Sequence, residues 1–298
     1  MSEPLVGLLL LDKPVGMSSN AALQRVRRLA HGVKAGHCGS LDPLASGMLP
    51  ICLGEATRLA GELLAGRKVY RFGIQLGERS ATGDAEGEIL ERRAVPGLSE
   101  QSVAAVLARF RGPQTQVPPM YSALKRDGIA LYRLARAGQS VEREARAIVI
   151  DALELLALEP ARIELRVLCS KGTYVRVLGE DIASALGTCG RIDSLRRDYV
   201  EPFIDEPMVS MEQLEAAATG AAGWPLLRAD RAVSHLPALQ LEASAVDALY
   251  CGRAIAVPQG AAALWRLYDP QGGFIGLGRS DAAGELRVRR LFSAPLAV

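Results

Sequence analysis

Apolar positions recur along the chain with two different periods, and each period predicts one kind of element. A period of two is clearest at 69–76, where Tyr70, Phe72, Ile74 and Leu76 fall on one face of a predicted strand. Shorter apolar or alternating runs predict further strands at 6–11, 48–53, 88–91, 148–159, 163–169 and 191–199. Helical spacing and capping residues predict helices at 18–30, 55–65, 99–110, 130–137, 174–186 and 211–218.

The order of these elements favours an α+β architecture. Strands and helices follow one another without a regular alternation, so a doubly wound parallel sheet is not expected. After Pro237 the pattern changes to three short strands at 264–268, 274–278 and 286–292. We therefore predict a large domain over 1–235 and a small β-rich domain over 236–298.

Composition excludes several classes of protein. Apolar residues make up 49% of the 298 residues and charged residues 23%, which is typical of a folded globular chain. No apolar run approaches the ~20 residues that a membrane-spanning helix needs. The acidic first residues lack the basic and apolar regions of a secretory signal. Five widely spaced cysteines without a CxxC, and three histidines, predict neither a disulfide framework nor a metal site. These features predict a soluble, reduced, cytoplasmic protein.

Charge is distributed unevenly although the net charge is only +2. Residues 201–250 hold eight acidic and two basic side chains, and arginine outnumbers lysine by 30 to 5 in the whole chain. The planar fork of arginine suits phosphate, so clusters at 25–28, 191–197 and 287–290 are candidate nucleic-acid contacts. A GC-rich genome explains the arginine bias equally well, so charge alone leaves the partner open.

Two segments carry candidate chemistry. The segment 37–47 reads H-C-G-S-L-D-P-L-A-S-G, in which Pro43 restricts Asp42 to extended backbone angles. The segment 169–176 reads C-S-K-G-T-Y-V-R and joins a predicted strand to a predicted helix. A plain Asp-Pro turn and a plain strand–helix junction also explain these segments. The chain contains no GxxxxGK[ST], GxSxG or HExxH motif, which argues against the corresponding nucleotide, esterase and zinc-protease sites.

Taken together, the two segments resemble the TruB family of pseudouridine synthases. The matching stretches are G-S-L-D-P-L-A-S-G at 39–47 and S-K-G-T-Y-V-R at 170–176. Three more stretches match in the same order, L-L-L-D-K-P-V-G-M-S-S at 9–19, R-K-V-Y-R-F at 67–72 and V-P-P-M-Y-S-A-L-K at 117–125. The resemblance covers about 7–198, and the last 60 residues loosely resemble a PUA-like RNA-binding module.

The resemblance implies a fold and a reaction. The fold is a mixed or antiparallel β-sheet catalytic domain with helices on its faces, followed by the PUA-like domain. The reaction isomerises a uridine in the T-loop of tRNA (position 55) to pseudouridine, on a base flipped out of the loop. The implied partner is the T-arm stem-loop of tRNA, and the implied enzyme needs no cofactor, no metal and no membrane. The oligomeric state is left open, with a monomer as the default expectation.

The resemblance also implies the catalytic residues. Asp42 matches the catalytic aspartate, which attacks either the base or the ribose. Burial alone would raise the pKa of such a carboxyl, and Arg176 matches the arginine that keeps it ionised. Tyr70 matches the tyrosine that stacks on the target base and is a candidate for assisting proton removal at C5, although its alternating strand suits a core residue equally well. Tyr174 matches a second tyrosine of the pocket, and Leu195 an apolar wall.

Further residues are implied to bind the substrate or support the site. His37 matches a histidine that occupies the space of the flipped nucleotide or stacks in the loop. Lys13, in the D-K-P motif, is expected to support the active-site loop. Lys171 and Arg196 are candidate RNA contacts. The segment 80–84 is a looser version of a Thr-rich, Asp-containing turn of the family.

Two other functions fit part of the same sequence. The first is a tRNA-binding or tRNA-folding chaperone whose catalytic site is vestigial. The second is a guide-dependent synthase that modifies ribosomal RNA within a complex.

Overall fold

An eight-stranded mixed sheet forms the centre of the N-terminal part of the protein. The computed structural model describes residues 5–220, 223–260 and 263–296. In chain order the elements up to residue 220 are β1 (Gly7–Lys13), α1 (Ser19–Leu29), β2 (Ala35–His37), β3 (Ser46–Leu53), α2 (Ala60–Ala65), β4 (Lys68–Leu76), β5 (Glu78–Ser80), β6 (Ile89–Arg92), α3 (Glu100–Ala108), β7 (Gly112–Gln116), β8 (Lys125–Arg126), β9 (Ile129–Ala130), α4 (Leu131–Arg136), β10 (Arg146–Glu159), β11 (Arg162–Cys169), α5 (Val175–Ala185), β12 (Gly190–Val200) and α6 (Met211–Ala218).

The strand order of this sheet is β1-β3-β12-β4-β11-β10-β7, and β2 pairs with β3. All of the described pairs in it are antiparallel except β3 with β12, which run parallel for a short stretch at Arg196↔Ser46 and Arg197↔Gly47. This topology confirms the predicted α+β class. It also brings β12, from late in the chain, between two strands from its first quarter.

The two faces of the sheet bury different cores, as alternating side chains require. Leu9 and Leu11 of β1 pack in a cluster with α1 and α5, whereas Leu8 and Leu10 face a second cluster. Each of these leucines is at most 2% exposed, so each contributes about 1.5–3 kcal/mol to folding by burial. The sheet is therefore a rigid platform with packed side chains on both faces.

A second sheet of five strands lies near the C-terminus. Its order is β13-β15-β16-β17-β14, with one helix beside it, and its elements are β13 (Ala238–Gln240), α7 (Ala243–Tyr250), β14 (Ile255–Ala256), β15 (Ala263–Tyr268), β16 (Phe274–Ser280) and β17 (Glu285–Leu296). Phe274 and Phe292 pack with 5.3 Å between ring centroids at a tilt of 59°, and they join the same cluster as Leu8 and Leu10. The small sheet thus shares an apolar cluster with the large one, and the domain boundary at 235/236 stays a prediction.

The main departures from the predicted elements have local causes. The segment expected as one helix over 55–65 is a 3-10 turn, Gly54–Leu59, followed by the short α2. Strand β7 was not predicted because Gly112-Pro113 and polar residues dominate it, a composition that suits an edge strand paired on one side only. Within the described residues, no helix has the length and apolar character required to cross a membrane.

Candidate active site

The loop between β2 and β3 presents Asp42, and contacts from α1 hold it in place. Ser19, in the first turn of α1, donates a hydrogen bond from Oγ to the carbonyl of Leu41 at 2.9 Å and accepts one from the Leu41 amide at 2.7 Å. Gly47, the second residue of β3, has φ +99°, and a Cβ there would lie 2.2 Å from the backbone oxygen of Arg197. Only glycine fits this close approach, so the motif glycine is explained by packing.

Arg176, in the first turn of α5, holds the Asp42 carboxylate. Its Nε lies 2.9 Å from Asp42 Oδ2, and its two terminal nitrogens donate to the backbone oxygens of Thr82 and Tyr121 at 2.7 Å each. The Arg176 side chain is 5% exposed and that of Asp42 is 40% exposed. The guanidinium is therefore locked by three contacts, while the carboxylate that it orients stays accessible to a ligand.

Asp84 is a second carboxylate beside the same guanidinium, and sequence reasoning did not assign it to the site. Its Oδ2 lies 3.7 Å from Arg176 Nε, and its side chain is only 5% exposed. Its other oxygen accepts hydrogen bonds from the Thr82 hydroxyl and the Glu86 amide. The loose Thr/Asp turn at 80–84 was the one sequence signal that could have pointed to it.

A cleft of about 610 Å³ opens beside Asp42, within the size range of small-molecule sites. The structure brings to it six of the nine predicted site residues from four separate stretches of chain. These are Asp42, Tyr70, Lys171, Tyr174, Arg176 and Leu195.

The two cleft tyrosines are neutral phenols at neutral pH. Tyr70 is 8% exposed, and its burial raises the pKa of its hydroxyl. Burial also raises the pKa of Tyr174, whose backbone amide and carbonyl are both bonded to the Gln116 side chain at 2.8 and 3.1 Å. Tyr70 belongs to the core cluster and also lines the cleft. A place in the core and a place where a base could stack are therefore compatible.

The other three predicted site residues lie outside this cleft. His37 lines a second cavity of about 610 Å³, which also contains Asp42 and Arg176. Burial and, secondarily, Arg197 lower the pKa of His37. Its Nδ1 is buried and has no hydrogen-bond partner in the described part of the protein.

Lys13 and Arg196 serve other contacts. Lys13 is fully buried and donates from Nζ to the carbonyls of Pro14 and Met17 at 2.7 and 2.6 Å. Burial lowers its pKa to about 8. Arg196 forms a two-pronged ion pair with Asp12 at 3.0 and 2.9 Å and borders a separate, smaller pocket. Its role as an RNA contact stays a prediction.

Two buried cations line the cleft: Lys68 was not predicted as a site residue, and Arg197, expected in a phosphate-contacting cluster at 191–197, is buried instead. Arg197 is 1% exposed, and Lys68 is 6% exposed. Burial lowers the pKa of Lys68 to about 8, and its Nζ donates to the carbonyls of Leu64 and Gly66. Among the residues described, no group of three histidine, cysteine or acidic side chains is placed to hold a metal ion.

Matches to known protein families identify the family of this chain. The family model described as "TruB family pseudouridylate synthase (N terminal domain)" matches 27–175, which contains Asp42, Tyr70 and Tyr174. The chain belongs to the TruB family. Two further models of this family match later segments, a "tRNA pseudouridylate synthase B C-terminal domain" at 176–225 and a "Pseudouridine synthase II TruB, C-terminal" domain at 237–292.

Curated TruB-family relatives match along almost the whole length. A protein of Nitrosococcus oceani named tRNA pseudouridine synthase B is 47% identical over 293 residues, covering 97% of this chain and 95% of that one. A protein of the same name from Pseudomonas putida is 46% identical over 290 residues, with 96% and 95% covered.

Solved structures share the TruB-family fold. A chain of a Cbf5-Nop10-Gar1 complex superimposes with a TM-score of 0.75 at 26% identity, covering 97% of this chain and 85% of that one. A chain of an H/ACA RNP bound to a substrate RNA has the same TM-score at 23% identity, with 97% and 86% covered. The resemblance inferred from short motifs is thus confirmed, together with the α+β core and the PUA-like C-terminal sheet.

Proposed function

We propose that the protein is a tRNA pseudouridine synthase that isomerises a uridine in the T-loop (position 55) of tRNA. Its relatives named tRNA pseudouridine synthase B match over 96–97% of its length, which supports both the reaction and the substrate class. The observation that carries the proposal is the 2.9 Å contact between Asp42 and Arg176 at a cleft that Tyr70 also lines.

The chemistry requires an ionised carboxylate beside an extruded base. The N1–C1′ bond breaks, the uracil turns, C5 bonds to C1′, and the proton leaves C5 while N1 gains one. All atoms of the substrate remain in the product, so the overall change consumes no cofactor or oxidant. Arg176 orients the Asp42 carboxylate for its attack on base or ribose through the 2.9 Å contact from its Nε.

Binding energy has to offset the cost of extruding the base. Extrusion costs a few kcal/mol of stacking, and stacking on an aromatic ring returns ~1–3 kcal/mol per base. In this proposal Tyr70 supplies the ring, Leu195 and Tyr174 enclose the base, and His37 fills the space it leaves. Lys171 and the arginine clusters at 25–28 and 287–290 contribute phosphate contacts, which make the affinity depend on salt.

The proposed enzyme has two domains. The catalytic domain spans 1–235 and the PUA-like RNA-binding domain 236–298. We further propose that the enzyme acts as a monomer in the cytoplasm.

Mapping of pseudouridine by mass spectrometry in T-arm RNA tests the proposal. The wild-type chain is expected to convert the T-loop uridine, whereas Asp42→Asn binds the RNA and forms no product. Turnover by Asp42→Asn near the wild-type rate would contradict the role of Asp42. Binding without product by the wild type would favour a chaperone with a vestigial site.

A synthase that works within a complex, as a guide-dependent enzyme would, stays a second candidate, because a chain of a Cbf5-Nop10-Gar1 complex shares the fold at 26% identity. Naked tRNA without guide RNA or protein partners separates the two. Conversion of naked tRNA excludes a requirement for a guide.

A further inference from the structure

Arg197 is a buried cation that meets no carboxylate within 4 Å in the parts of the chain described above. The other two arginines at the site differ, because Arg176 pairs with Asp42 and Arg196 with Asp12. Burying a charge without an opposite charge nearby costs desolvation free energy. The hydrogen bonds and ring contact of Arg197 must therefore compensate the burial of its charge.

Two nitrogens of Arg197 hold the two ends of the loop that carries Asp42. Nε donates to the carbonyl of Met48 at 2.7 Å, and Nη2 donates to the carbonyl of Gly39 at 3.0 Å. The backbone of Arg197 also lies against Gly47, where no side chain would fit. A single residue of β12 thus bonds to both sides of the loop that carries Asp42, at Gly39 before Asp42 and at Met48 in β3.

The same guanidinium lies beside Tyr70. Its Cζ is 6.0 Å from the centre of the Tyr70 ring, at the outer limit of a cation–π contact. The two residues are cross-strand neighbours in the register of β12 and β4, and both line the cleft. Arg197 therefore contacts the loop that carries Asp42 and the ring that would stack on the base.

We propose that Arg197 is a positioning residue that sets the separation between the Asp42 carboxylate and the Tyr70 ring. A base stacked on Tyr70 then lies within reach of Asp42 each time it enters. Lysine cannot replace this function, because a single ammonium cannot present a planar fork to two carbonyls and a ring. The proposal rests on the proposed function, since it assumes that Asp42 and Tyr70 act on one base.

Single-turnover conversion of T-arm RNA at saturating enzyme tests this role. Arg197→Ala is expected to lower the rate about 100-fold, the scale of a displacement of about 1 Å in an active site. The dissociation constant for RNA and its salt dependence should stay at their wild-type values. Added ethylguanidinium, which can fill the vacated space beside the cleft, should restore part of the rate with saturation. A purely structural role would show no such rescue.

Two further variants complete the test. Arg197→Lys keeps the charge and should fall between Arg197→Ala and wild type, and it decides the question if the alanine variant does not fold. Arg111→Ala is the control for the loss of an arginine–carbonyl bond, because the exposed Arg111 donates at 2.8 Å to the Leu153 carbonyl away from the cleft, and it should leave the rate unchanged.

Wild-type rates in both Arg197 variants would overturn the proposal. Weaker, less salt-dependent binding with an unchanged saturated rate would also overturn it, because Arg197 would then be a phosphate contact. Product formation by the wild type tests the proposed function itself, and the ratio of variant to wild-type rate tests Arg197. The two failures are therefore distinguishable.

Discussion

The Asp42 cleft and strand β17 of the C-terminal sheet are both rich in arginine, but they use it in opposite ways. At the cleft, Arg176 and Arg197 are 5% and 1% exposed, and each makes at least two bonds to backbone carbonyls. On β17, Arg287, Arg289 and Arg290 are all exposed. A buried guanidinium fixes the geometry around it, whereas an exposed one contributes charge that water and salt screen. The comparison predicts that cleft substitutions change rate and stability, and that β17 substitutions change only affinity.

The largest effect should follow the loss of Arg176. Arg176→Met leaves Asp84 buried without its cation, so we expect the free energy of unfolding to fall by about 3–5 kcal/mol. The rate of product formation should fall at least ~100-fold, because Asp42 loses the charge that orients it. Urea unfolding and single-turnover assays measure the two effects.

Arg176→Lys is the control for that variant. It keeps the charge but not the three simultaneous contacts. Its free energy of unfolding should therefore lie closer to the wild-type value than its rate of product formation does. Full recovery of the rate by lysine would show that charge alone, without fixed geometry, suffices at Asp42.

A smaller effect is expected in the dependence of stability on pH. Burial lowers the pKa of Lys13 from 10.5 to about 8, so between pH 8 and 10.5 the unfolded chain binds more protons at this site than the folded one. The contribution of Lys13 therefore makes the protein more stable as pH rises through this window, by about 1 kcal/mol per pH unit. The slope fades as pH falls through the folded-state pKa of about 8 and is lost about one to two pH units below it.

Urea unfolding of wild type and Lys13→Met at pH 7.5, 8.5 and 9.5 measures this difference. The variant should lack the part of the slope due to Lys13, while contributions from the other thiols, phenols and lysines cancel in the comparison. Parallel curves for the two proteins would show that Lys13 is not buried in its charged form.

The smallest effect is expected on β17. Arg290→Ala should weaken binding of T-arm RNA only slightly and reduce the salt slope by about one, with an unchanged rate at saturation. Arg196→Ala should change the slope less, because Asp12 already compensates its charge. Titrations of RNA binding at several salt concentrations measure both. A lower saturated rate in Arg290→Ala would contradict the expectation that arginines on β17 affect only RNA affinity.

Local motifs predicted much of the site. They did not predict contacts between residues that are far apart along the chain. Asp42, Tyr174 and Arg176 lie in short segments with unusual composition, and the family resemblance of those segments assigns them to the site. Asp84 carried only a weak signal, because an aspartate in a polar turn is common and its partner lies 92 positions further along the chain. Capping serines marked the starts of α1 and α3 correctly, because a cap bonds to neighbouring amides only.

The sequence by itself determined the class of fold, most of its elements and the residues of its motifs, because periodicity and capping act between near neighbours. The tertiary structure alone decided the different environments of Arg196 and Arg197. These adjacent arginines point to opposite faces of β12, one paired with Asp12 and the other buried against Gly39, Met48 and Tyr70. Which face is buried depends on the strands that β12 inserts between, and that order arises from contacts more than a hundred residues apart along the chain.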